Sequence, residues 1–354
     1  MNLNAINLSV RPTEKSRPPK ISILLPNLNT YPFLEERFQS ILSQTLTNWE
    51  LIVIDGYSDD GSWELIQTYA CQDSRIHAAQ APREGVYAGI NRCIEQALGD
   101  YIYIATSDDT MTPDCLEKMV AALETQPNCD LAHCCLSIID ETGQPIENQW
   151  DTWGKVKFFG EHIDHPHIRL APYDGILYCA LGTLYASLTQ LLIRRRLFEK
   201  IGTFNTEFGP HGDFEWGMRA GLTANTLHVP HYLATWRIHA GQATQNDVIF
   251  SAEGQALWCA MIESALATLA DKTSALNPRQ LTYCYRFRQL RFGLSERSVH
   301  PIQKGLFLIY FSLFYPRVAI HYVWFKLSKQ QFNPAIYIRD FLANHNYEQH
   351  LTRA

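Results

Sequence analysis

Short apolar runs alternate with amphipathic segments along the first part of the chain, up to about residue 140. Five of these runs are brief and rich in Ile, Val, Leu and Tyr, which predicts buried strands at 20–26, 49–55, 75–80, 101–106 and 130–140. Four intervening segments space their apolar residues along one helical face, which predicts helices at 31–45, 61–73, 85–99 and 113–127. Strands that alternate with helices of this length predict an α/β fold with a doubly wound, mostly parallel sheet.

Acidic residues stand where two of the predicted strands end. Asp55 closes the second run, and Asp108 with Asp109 follows the run YIYIAT. Ligands of doubly wound sheets bind beyond the carboxyl ends of the strands, so we expect the three acids to converge on one crevice. Two adjacent carboxylates repel each other and are poorly tolerated near a core unless a cation offsets them. A solvated acidic turn is the alternative for either site taken alone.

The overall composition narrows the class of protein. Hydrophobic residues make up 46% of the 354 positions and charged residues 19%, as in a globular protein with a sizeable core. The net charge of -6 gives no reason to expect a nucleic-acid partner. Nine cysteines, an odd number without a CxxC pair, favour reduced thiols in a cytoplasmic protein. Neither GxGxxG after the first strand nor a Walker A motif occurs, which argues against a dinucleotide dehydrogenase or a P-loop enzyme.

The two ends of the chain carry different patterns. Residues 1–19, with prolines and charges and no long apolar run, are predicted to be a flexible leader without a signal peptide. Residues 246–354 are mostly helical in pattern, and within them 305–325 is strongly apolar and aromatic. Lysines flank this stretch, and a proline interrupts it too early for a membrane span. It is predicted either to form a buried helix pair or to lie on a membrane surface through 304–326.

The segments that carry the acids resemble a known family. The chain is similar to the nucleotide-binding half of family 2 glycosyltransferases, which have the GT-A fold, in the order and spacing of three stretches: KISILLPNLN, WELIVIDGYSDDGSWELI and APREGVYAGINRCIEQALGDYIYIATSDD. A weaker likeness to the family's acceptor side lies at 191–219 and 235–244. The resemblance implies a GT-A domain at 20–245, with a nucleotide-sugar half at 20–140 and an acceptor half at 141–245. The region at 246–354, which is helical in pattern, follows this domain.

By this resemblance, the donor would be a UDP-, dTDP- or GDP-sugar whose diphosphate is bridged to the protein by Mn²⁺ or Mg²⁺. Asp109 would bind the metal, His239 would complete its site, and Asp108 would lie near the ribose or the metal's water shell. The ion would relieve the repulsion between the carboxylates and stabilise the leaving diphosphate, and hard oxygen ligands suit both ions. The resemblance assigns seven residues to the nucleotide sugar: Pro26, Asn27, Asn29, Asp55, Arg83, Asn91 and Asp108.

Some members of that set depart from the family pattern or have a plainer interpretation. Asp55 takes the place of the acid that hydrogen-bonds the base, and residues 26–29 take the place of a loop that covers it. Asn27 and Leu28 stand where the family usually has a threonine and an aromatic residue. Asp55 could instead be a turn acid, Arg83 a surface arginine and His239 a structural histidine, and these alternatives stay open.

The acceptor side offers a candidate general base. In GDFEW, Asp213 aligns with the aspartate of the family's E-D pair, while Gly212 replaces the first acid. A positioned carboxylate accepts the proton of an acceptor hydroxyl as the new glycosidic bond forms. We expect Asp213 to be this base, with Glu215 as the alternative catalytic residue. Acids that only suit the dipole of a helix N-terminus are the structural alternative.

As a whole, the resemblance implies an inverting, metal-dependent glycosyltransferase of the bacterial surface-polysaccharide type. The acceptor would be a hydroxyl of a glycan or of a lipid-linked molecule in lipopolysaccharide or exopolysaccharide synthesis, at the inner face of the cytoplasmic membrane. A nucleotidyltransferase that makes a sugar nucleotide is one alternative, although PNLNTYP lacks the Gly-rich, basic loop it would need. A non-catalytic binding protein of the same fold is the other.

Overall fold

The computed structural model describes most of the chain. The described residues are 18–146, 150, 157–182, 184–241, 252–268, 278–295, 300–327, 342–343 and 351–354. The leader predicted over 1–19 lies outside them, apart from residues 18 and 19.

The alternation of strands and helices predicted for the first part of the chain is confirmed. Each of the five apolar runs forms a strand: β1 (Ile21–Asn27), β2 (Trp49–Asp55), β3 (Ile76–Gln80), β4 (Tyr101–Ile104) and β5 (Cys129–Ile139). The amphipathic segments form the helices between them: α1 (Tyr31–Leu42), α2 (Ser62–Gln72), α3 (Val86–Gln96) and α4 (Cys115–Thr125). The bounds differ from the expected ones by a few residues, as is usual at the ends of elements.

Further strands and helices follow in the second half. They are, in chain order, β6 (His167–Arg169), α5 (Tyr173–Leu181), β7 (Leu191–Arg194), α6 (Arg195–Ile201), α7 (Gly212–Thr223) and β8 (Asn225–Arg237). The helical pattern predicted for the C-terminal region corresponds to α8 (Ala252–Ala267), α9 (Pro278–Ser295), α10 (Pro301–Phe314) and α11 (Pro316–Leu327). A short strand, β9 (Leu351–Arg353), comes last.

The strand order places several strand ends at one edge of a single sheet. Within the described residues, nine strands pair in the order β3-β2-β1-β4-β7-β5-β8-β6-β9. β1 to β4 are parallel, as predicted, but β7 runs antiparallel to both β4 and β5. Because β5 and β8 are parallel to each other, β8 ends at the same edge as β4. The ends of β1, β2, β4 and β8 therefore share one edge, called the carboxyl edge below.

Both faces of the sheet are buried under helices. Alternate residues of β1 face opposite sides, so that Leu24 belongs to the hydrophobic core with Trp216 of α7, and Ile23 to the core with Phe38 of α1. Strands that are covered on both faces are apolar along most of their length, which explains why these runs lack a regular polar alternation.

The C-terminal helices pack against the sheet domain. Trp258 of α8 and Tyr285 of α9 are buried in the same core as Trp216. Other residues of α9, such as Phe287, join α10 and α11 in a separate small core around Phe311. β9 pairs with β6, so a region predicted to be helical also adds a strand to the sheet. In the part of the chain that the structure describes, no helix combines the length and apolar character needed to cross a bilayer.

Candidate active site

An acid and a histidine meet where β4 and β8 end. His239 follows β8, and its Nε2 lies 3.0 Å from Oδ2 of Asp108, which follows β4. Both side chains are partly open to solvent, with 11% of the histidine and 22% of the aspartate exposed. The fold thus brings together two predicted site residues that are 131 positions apart in the sequence.

The neighbouring acid, Asp109, is turned inward and is only 1% exposed. Its Oδ2 accepts hydrogen bonds from the hydroxyls of Thr106 (2.5 Å) and Ser187 (3.1 Å), and its Oδ1 accepts one from the backbone N–H of Arg237 (2.8 Å). Burial, and then the charge of Asp108, raise the pKa of Asp109 to about 7. Asp109 therefore ties the loop after β4 to the end of β8, while Asp108 is the acid that solvent reaches.

Two residues that the sequence did not single out hold His239 in place. The ring of His239 packs on the ring of Phe33 in α1, with the centroids 4.6 Å apart. The buried guanidinium of Arg237 lies over the same Phe33 ring, 5.1 Å from its centroid, and donates to the backbone carbonyl of Asp108 (2.8 Å). Arg237 lies in the stretch 235–244 that only weakly resembles the family, and Phe33 lies outside the resembling stretches. Only the packing of α1 beside the end of β8 brings the two together.

Asp108 and His239 could hold a divalent cation. Among the described residues, no three or more His, Cys, Asp or Glu side chains are arranged to bind a metal. A carboxylate oxygen and an imidazole nitrogen both suit Mn²⁺, and Mg²⁺ is commonly bound by one or two carboxylates together with substrate phosphates. The pair therefore fits an ion that takes its remaining ligands from phosphate oxygens and water.

Asp55 ends β2 and is buried beneath donors of the chain itself. Its Oδ1 accepts from Nδ2 of Asn27 (2.8 Å) and the hydroxyl of Ser58 (2.6 Å), and its Oδ2 from the Ser58 N–H (2.9 Å) and Nε2 of Gln80 (3.0 Å). A carboxylate offers about four acceptor positions, and these four donors fill them. Asp55 can accept a hydrogen bond from a nucleotide base only if one of the donors moves away.

The loop after β1 is fastened to the loop after β2. Nδ2 of Asn29 donates to Oδ1 of Asp59 (2.9 Å), and the Asp59 N–H donates back to Oδ1 of Asn29 (3.0 Å). Nε of Arg83 donates to the backbone carbonyl of Gly56 (2.8 Å), and the arginine side chain is about half exposed. Leu28 is exposed beside Gly56. The two loops form one surface that carries Leu28, Asn29 and Arg83.

Two other residues predicted to bind the nucleotide sugar take part in packing. Pro26 is buried in β1 against Gly89 of α3. Nδ2 of Asn91 in α3 donates to the carbonyl of Phe204 (2.8 Å), and its Oδ1 accepts from the Phe204 N–H (3.0 Å). Asn91 thereby ties α3 to the loop after α6.

A glycine lets α7 begin directly against α3. A Cβ at Gly212 would lie 2.7 Å from Cδ2 of Tyr87, so the acid that the family carries there would clash with this ring. The next residue, Asp213, is partly exposed, and its Oδ1 accepts a hydrogen bond from the backbone N–H of Phe214 (3.0 Å). Burial, and then the nearby negative charge of Asp213, raise the pKa of Tyr87, so the phenol keeps its proton; its hydroxyl donates to the backbone carbonyl of Pro210 (3.4 Å). Asp213 therefore begins α7 as a partly exposed acid beside the ring of Tyr87.

Glu215, the alternative base, is buried, and both of its carboxylate oxygens accept hydrogen bonds from within the chain. Arg219 donates from Nε to its Oε1 (2.8 Å) and from Nη2 to its Oε2 (2.7 Å), and the hydroxyl of Ser264 in α8 donates to Oε1 (2.8 Å). Nη2 of Arg219 also donates to the backbone carbonyl of Thr203 (2.8 Å). Glu215 thus links α7 to α8 and, through Arg219, to the loop after α6. Burial and pairing of this kind suit a structural ion pair better than a proton acceptor.

Comparison with known proteins gives the family of the chain. Residues 22–202, about half of the chain, match the model for "Glycosyl transferase family 2". The chain belongs to that family.

Two curated relatives each match about a third of the chain. The chain is 39% identical over 130 residues to an uncharacterized glycosyltransferase of Haemophilus influenzae (36% of this chain, 52% of that protein). It is 29% identical over 130 residues to the provisionally named teichuronic acid biosynthesis glycosyltransferase TuaG of Bacillus subtilis (36% and 51%). The chain spans about half the length of these curated relatives.

Solved structures resemble the chain over more of its length. The S. aureus protein TarS 1-349 in complex with UDP-GlcNAc has a TM-score of 0.61 at 15% identity, covering 84% of this chain and 82% of that one. The mannosyltransferase PcManGT from Pyrobaculum calidifontis, in complex with GDP-Man and Mn²⁺, has a TM-score of 0.50 at 13% identity, covering 98% and 89%. At such low identity the likeness concerns the fold, and the predicted GT-A fold is confirmed.

Proposed function

We propose that the chain is a glycosyltransferase that moves a sugar from a nucleotide-sugar donor to a hydroxyl of its acceptor, with inversion at the anomeric carbon. The observation that carries this proposal is the meeting of Asp108 with His239 at the carboxyl edge. Asp213 lies at the same edge, because Tyr87, which lies beside it, is in the first turn of α3, which begins there after β3. Family membership supports glycosyl transfer over the nucleotidyltransferase alternative.

The divalent cation is assigned to Asp108 and His239. Asp109 is buried and already accepts three hydrogen bonds from the chain, whereas Asp108 is partly open to solvent. This choice revises the assignment made from the sequence, in which Asp109 was the metal ligand. Mn²⁺ or Mg²⁺ at this position would neutralise charge on the diphosphate as it leaves. The Mn²⁺ in the PcManGT complex supports the use of such an ion on this fold.

The nucleoside of the donor is assigned to the surface formed by the loops after β1 and β2. Leu28 and Tyr57 expose apolar area there, on which a flat base can pack. Asn29 and Arg83 supply polar groups beside them, and Asp55 lies beneath. The structural neighbours were solved with UDP-GlcNAc and with GDP-Man, which supports a nucleotide-sugar donor and leaves UDP-, dTDP- and GDP-sugars as candidates.

Asp213 is assigned the role of general base. Its carboxylate takes the proton of the acceptor hydroxyl while that oxygen bonds to the anomeric carbon and the bond from this carbon to the diphosphate oxygen breaks. Attack from the face opposite the leaving group inverts the configuration. Glu215 is assigned a positioning role, because Arg219 and Ser264 occupy its oxygens.

The acceptor is assigned to the synthesis of a bacterial surface polysaccharide, as a hydroxyl on a glycan or a lipid-linked molecule. The name of the relative TuaG, which refers to teichuronic acid biosynthesis, supports this class of product. The cysteines that the structure describes are free thiols, which suits a reducing compartment and a place at the inner face of the cytoplasmic membrane.

Thermal unfolding of the purified chain with UDP-, dTDP- and GDP-sugars, each with Mn²⁺ or with EDTA, tests the donor site. A ligand that binds only the folded state raises the unfolding temperature by mass action. We expect a Mn²⁺-dependent increase with one class of nucleotide, which Asp108→Ala abolishes and Asp213→Asn retains. Absence of an increase with every donor, or an undiminished increase in Asp108→Ala, would overturn the assignment.

A further inference from the structure

The hairpin formed by α10 and α11 exposes large apolar side chains along its length. Nine of them are 48% to 77% exposed and make up what we call the apolar face: Ile302, Leu306, Ile309, Leu313, Phe314, Ile320, Val323, Trp324 and Leu327. Those on α10 at 302, 306, 309 and 313 follow each other at intervals of four, three and four residues, which places them on one side of that helix. Contiguous exposed apolar surface of this kind marks an interaction site.

The Lys and Arg residues of the hairpin itself are not accompanied by acidic residues. Residues 300–327 contain Lys304, Arg317 and Lys326 and no aspartate or glutamate, although the chain as a whole has a net charge of -6. Lys304 lies near the start of α10, Lys326 lies in the last turn of α11, and Arg317 follows the proline that begins α11. An apolar and aromatic face with basic residues at its margins is the pattern of helices that lie in the interface of an anionic bilayer.

The opposite side of the hairpin connects it to the sheet domain. Phe311 of α10 and Tyr322 of α11 pack on Phe287 of α9 in the small C-terminal core. The neighbouring residue Tyr285 of α9 is buried in the main core with Trp258 of α8. Because α9 takes part in both cores, whatever the hairpin binds is linked to the domain that carries the candidate active site.

We propose that the α10–α11 hairpin docks the protein on the surface of an anionic phospholipid bilayer. The apolar face enters the boundary between head groups and acyl chains, Lys304, Arg317 and Lys326 lie among the anionic head groups, and neither helix crosses the membrane. Docking itself follows from the hairpin alone. Its use, which is to bring the site to lipid-linked acceptors, rests on the proposed function.

Co-sedimentation of the full chain with vesicles tests this docking without donor or acceptor. The vesicles are phosphatidylcholine alone, or phosphatidylcholine mixed with an equal amount of phosphatidylglycerol. We expect binding to the mixed vesicles that weakens as salt is raised, and little binding to phosphatidylcholine alone. Ile309→Gln with Leu313→Gln should reduce the binding by roughly tenfold or more, since buried methylene groups drive insertion.

Two further variants separate the contributions of charge and of apolar area. Lys304→Gln with Lys326→Gln should weaken binding to the anionic vesicles and reduce its dependence on salt. Leu98→Gln, at an exposed apolar residue in the loop between α3 and β4, should bind as the parent does.

Three outcomes would overturn the proposal. They are no binding to anionic vesicles, equal binding by Ile309→Gln with Leu313→Gln and the parent, and a dimer in solution that this double variant dissociates. The last result would make a second copy of the chain the partner of the apolar face. None of these results bears on nucleotide-sugar binding, which the thermal unfolding measurement tests separately.

Discussion

Asp108 and Asp109 are adjacent in the sequence, yet the structure turns one toward solvent and the other into the core. Oδ2 of Asp108 lies 3.0 Å from Nε2 of His239, while both oxygens of Asp109 accept hydrogen bonds from within the chain. The pair of like charges is therefore tolerated because its members sit in different environments. The inner acid is held by hydrogen-bond donors, and the outer acid is available to a cation.

Replacing each acid by asparagine should separate the proposed binding of a cation by Asp108 from the structural role of Asp109. Asp108→Asn preserves the size of the side chain but removes the charge that attracts the ion, so we expect donor stabilisation to lose its dependence on Mn²⁺. Asp109→Asn should keep that dependence, because this side chain is buried and is held by the hydroxyls of Thr106 and Ser187. Thermal scans with and without Mn²⁺ measure both effects. Loss of the Mn²⁺ effect in Asp109→Asn alone would return the ion to Asp109.

Asp213→Asn and Glu215→Gln should fail in different ways. Asp213→Asn is expected to bind the donor normally and to lose about 10²–10⁴-fold in kcat, because it removes the proposed general base. Glu215→Gln breaks a buried ion pair and is expected to lower the free energy of unfolding by roughly 3–5 kcal/mol. Glu199→Gln, at an exposed glutamate, serves as the control and should change neither quantity. A fully stable Glu215→Gln variant without turnover would identify Glu215 as the base.

Gly212→Ala tests whether the start of α7 is packed as tightly as the structure indicates. The added Cβ would lie 2.7 Å from the Tyr87 ring, so we expect the free energy of unfolding to fall by about 1–3 kcal/mol. We also expect kcat to fall, since a shift of the first turn of α7 displaces Asp213 as well. Gly305→Ala in α10 is the matched control, because open space surrounds that position. There alanine should stabilise the helix by roughly 0.5–1 kcal/mol. Urea unfolding of both variants gives the comparison, and equal effects would contradict the tight packing.

Three buried histidines should make stability depend on pH. His133, His167 and His228 cluster beside Arg169, with ring centroids of His133 and His228 5.6 Å apart and of His167 and His228 4.8 Å apart. Burial, and then the charge of Arg169, lower the pKa of all three, for His167 to about 4. In the pH range between the folded pKa of His167, about 4, and its ordinary pKa of 6.5, the unfolded chain binds a proton that the folded chain does not. The contribution of these histidines to the free energy of unfolding is therefore largest above about pH 6.5. It declines as the pH falls, by up to about 1.4 kcal/mol per pH unit for each histidine.

Urea unfolding between pH 7 and pH 5 measures this slope. Asp109, whose pKa is raised to about 7, takes up a proton on folding, so its own contribution to stability increases as the pH falls. The slope of stability against pH in each variant is therefore compared with the slope in the parent. His228→Gln should reduce the slope by the share of one histidine, since glutamine can still hydrogen-bond the carbonyl of Ile163. His231→Gln, at an exposed position, should leave the slope unchanged. An unchanged slope in His228→Gln would show that the cluster does not set the acid response.

The elements of the first half could be predicted because their signal is local. A strand such as Ile21–Asn27 is covered on both faces, so most of its residues are apolar and they do not alternate regularly with polar ones. The direction of β7 and the strand β9 could not be predicted, because each depends on pairing with strands far away in the sequence. In the same way, Asn91 could be placed on α3, but its bonds to Phe204 follow from the packing of distant elements.

The sequence by itself determined the α/β alternation, the acids after β2 and β4, and the acid that begins α7. It could do so because strand and helix periodicity, and the end of an apolar run at a carboxylate, are properties of neighbouring residues. Only the tertiary structure decided that Asp108 faces His239 while Asp109 is buried, and that Glu215 is occupied by Arg219. Those differences arise from burial and from hydrogen-bond donors that come from remote parts of the chain, and no local pattern of residues records them.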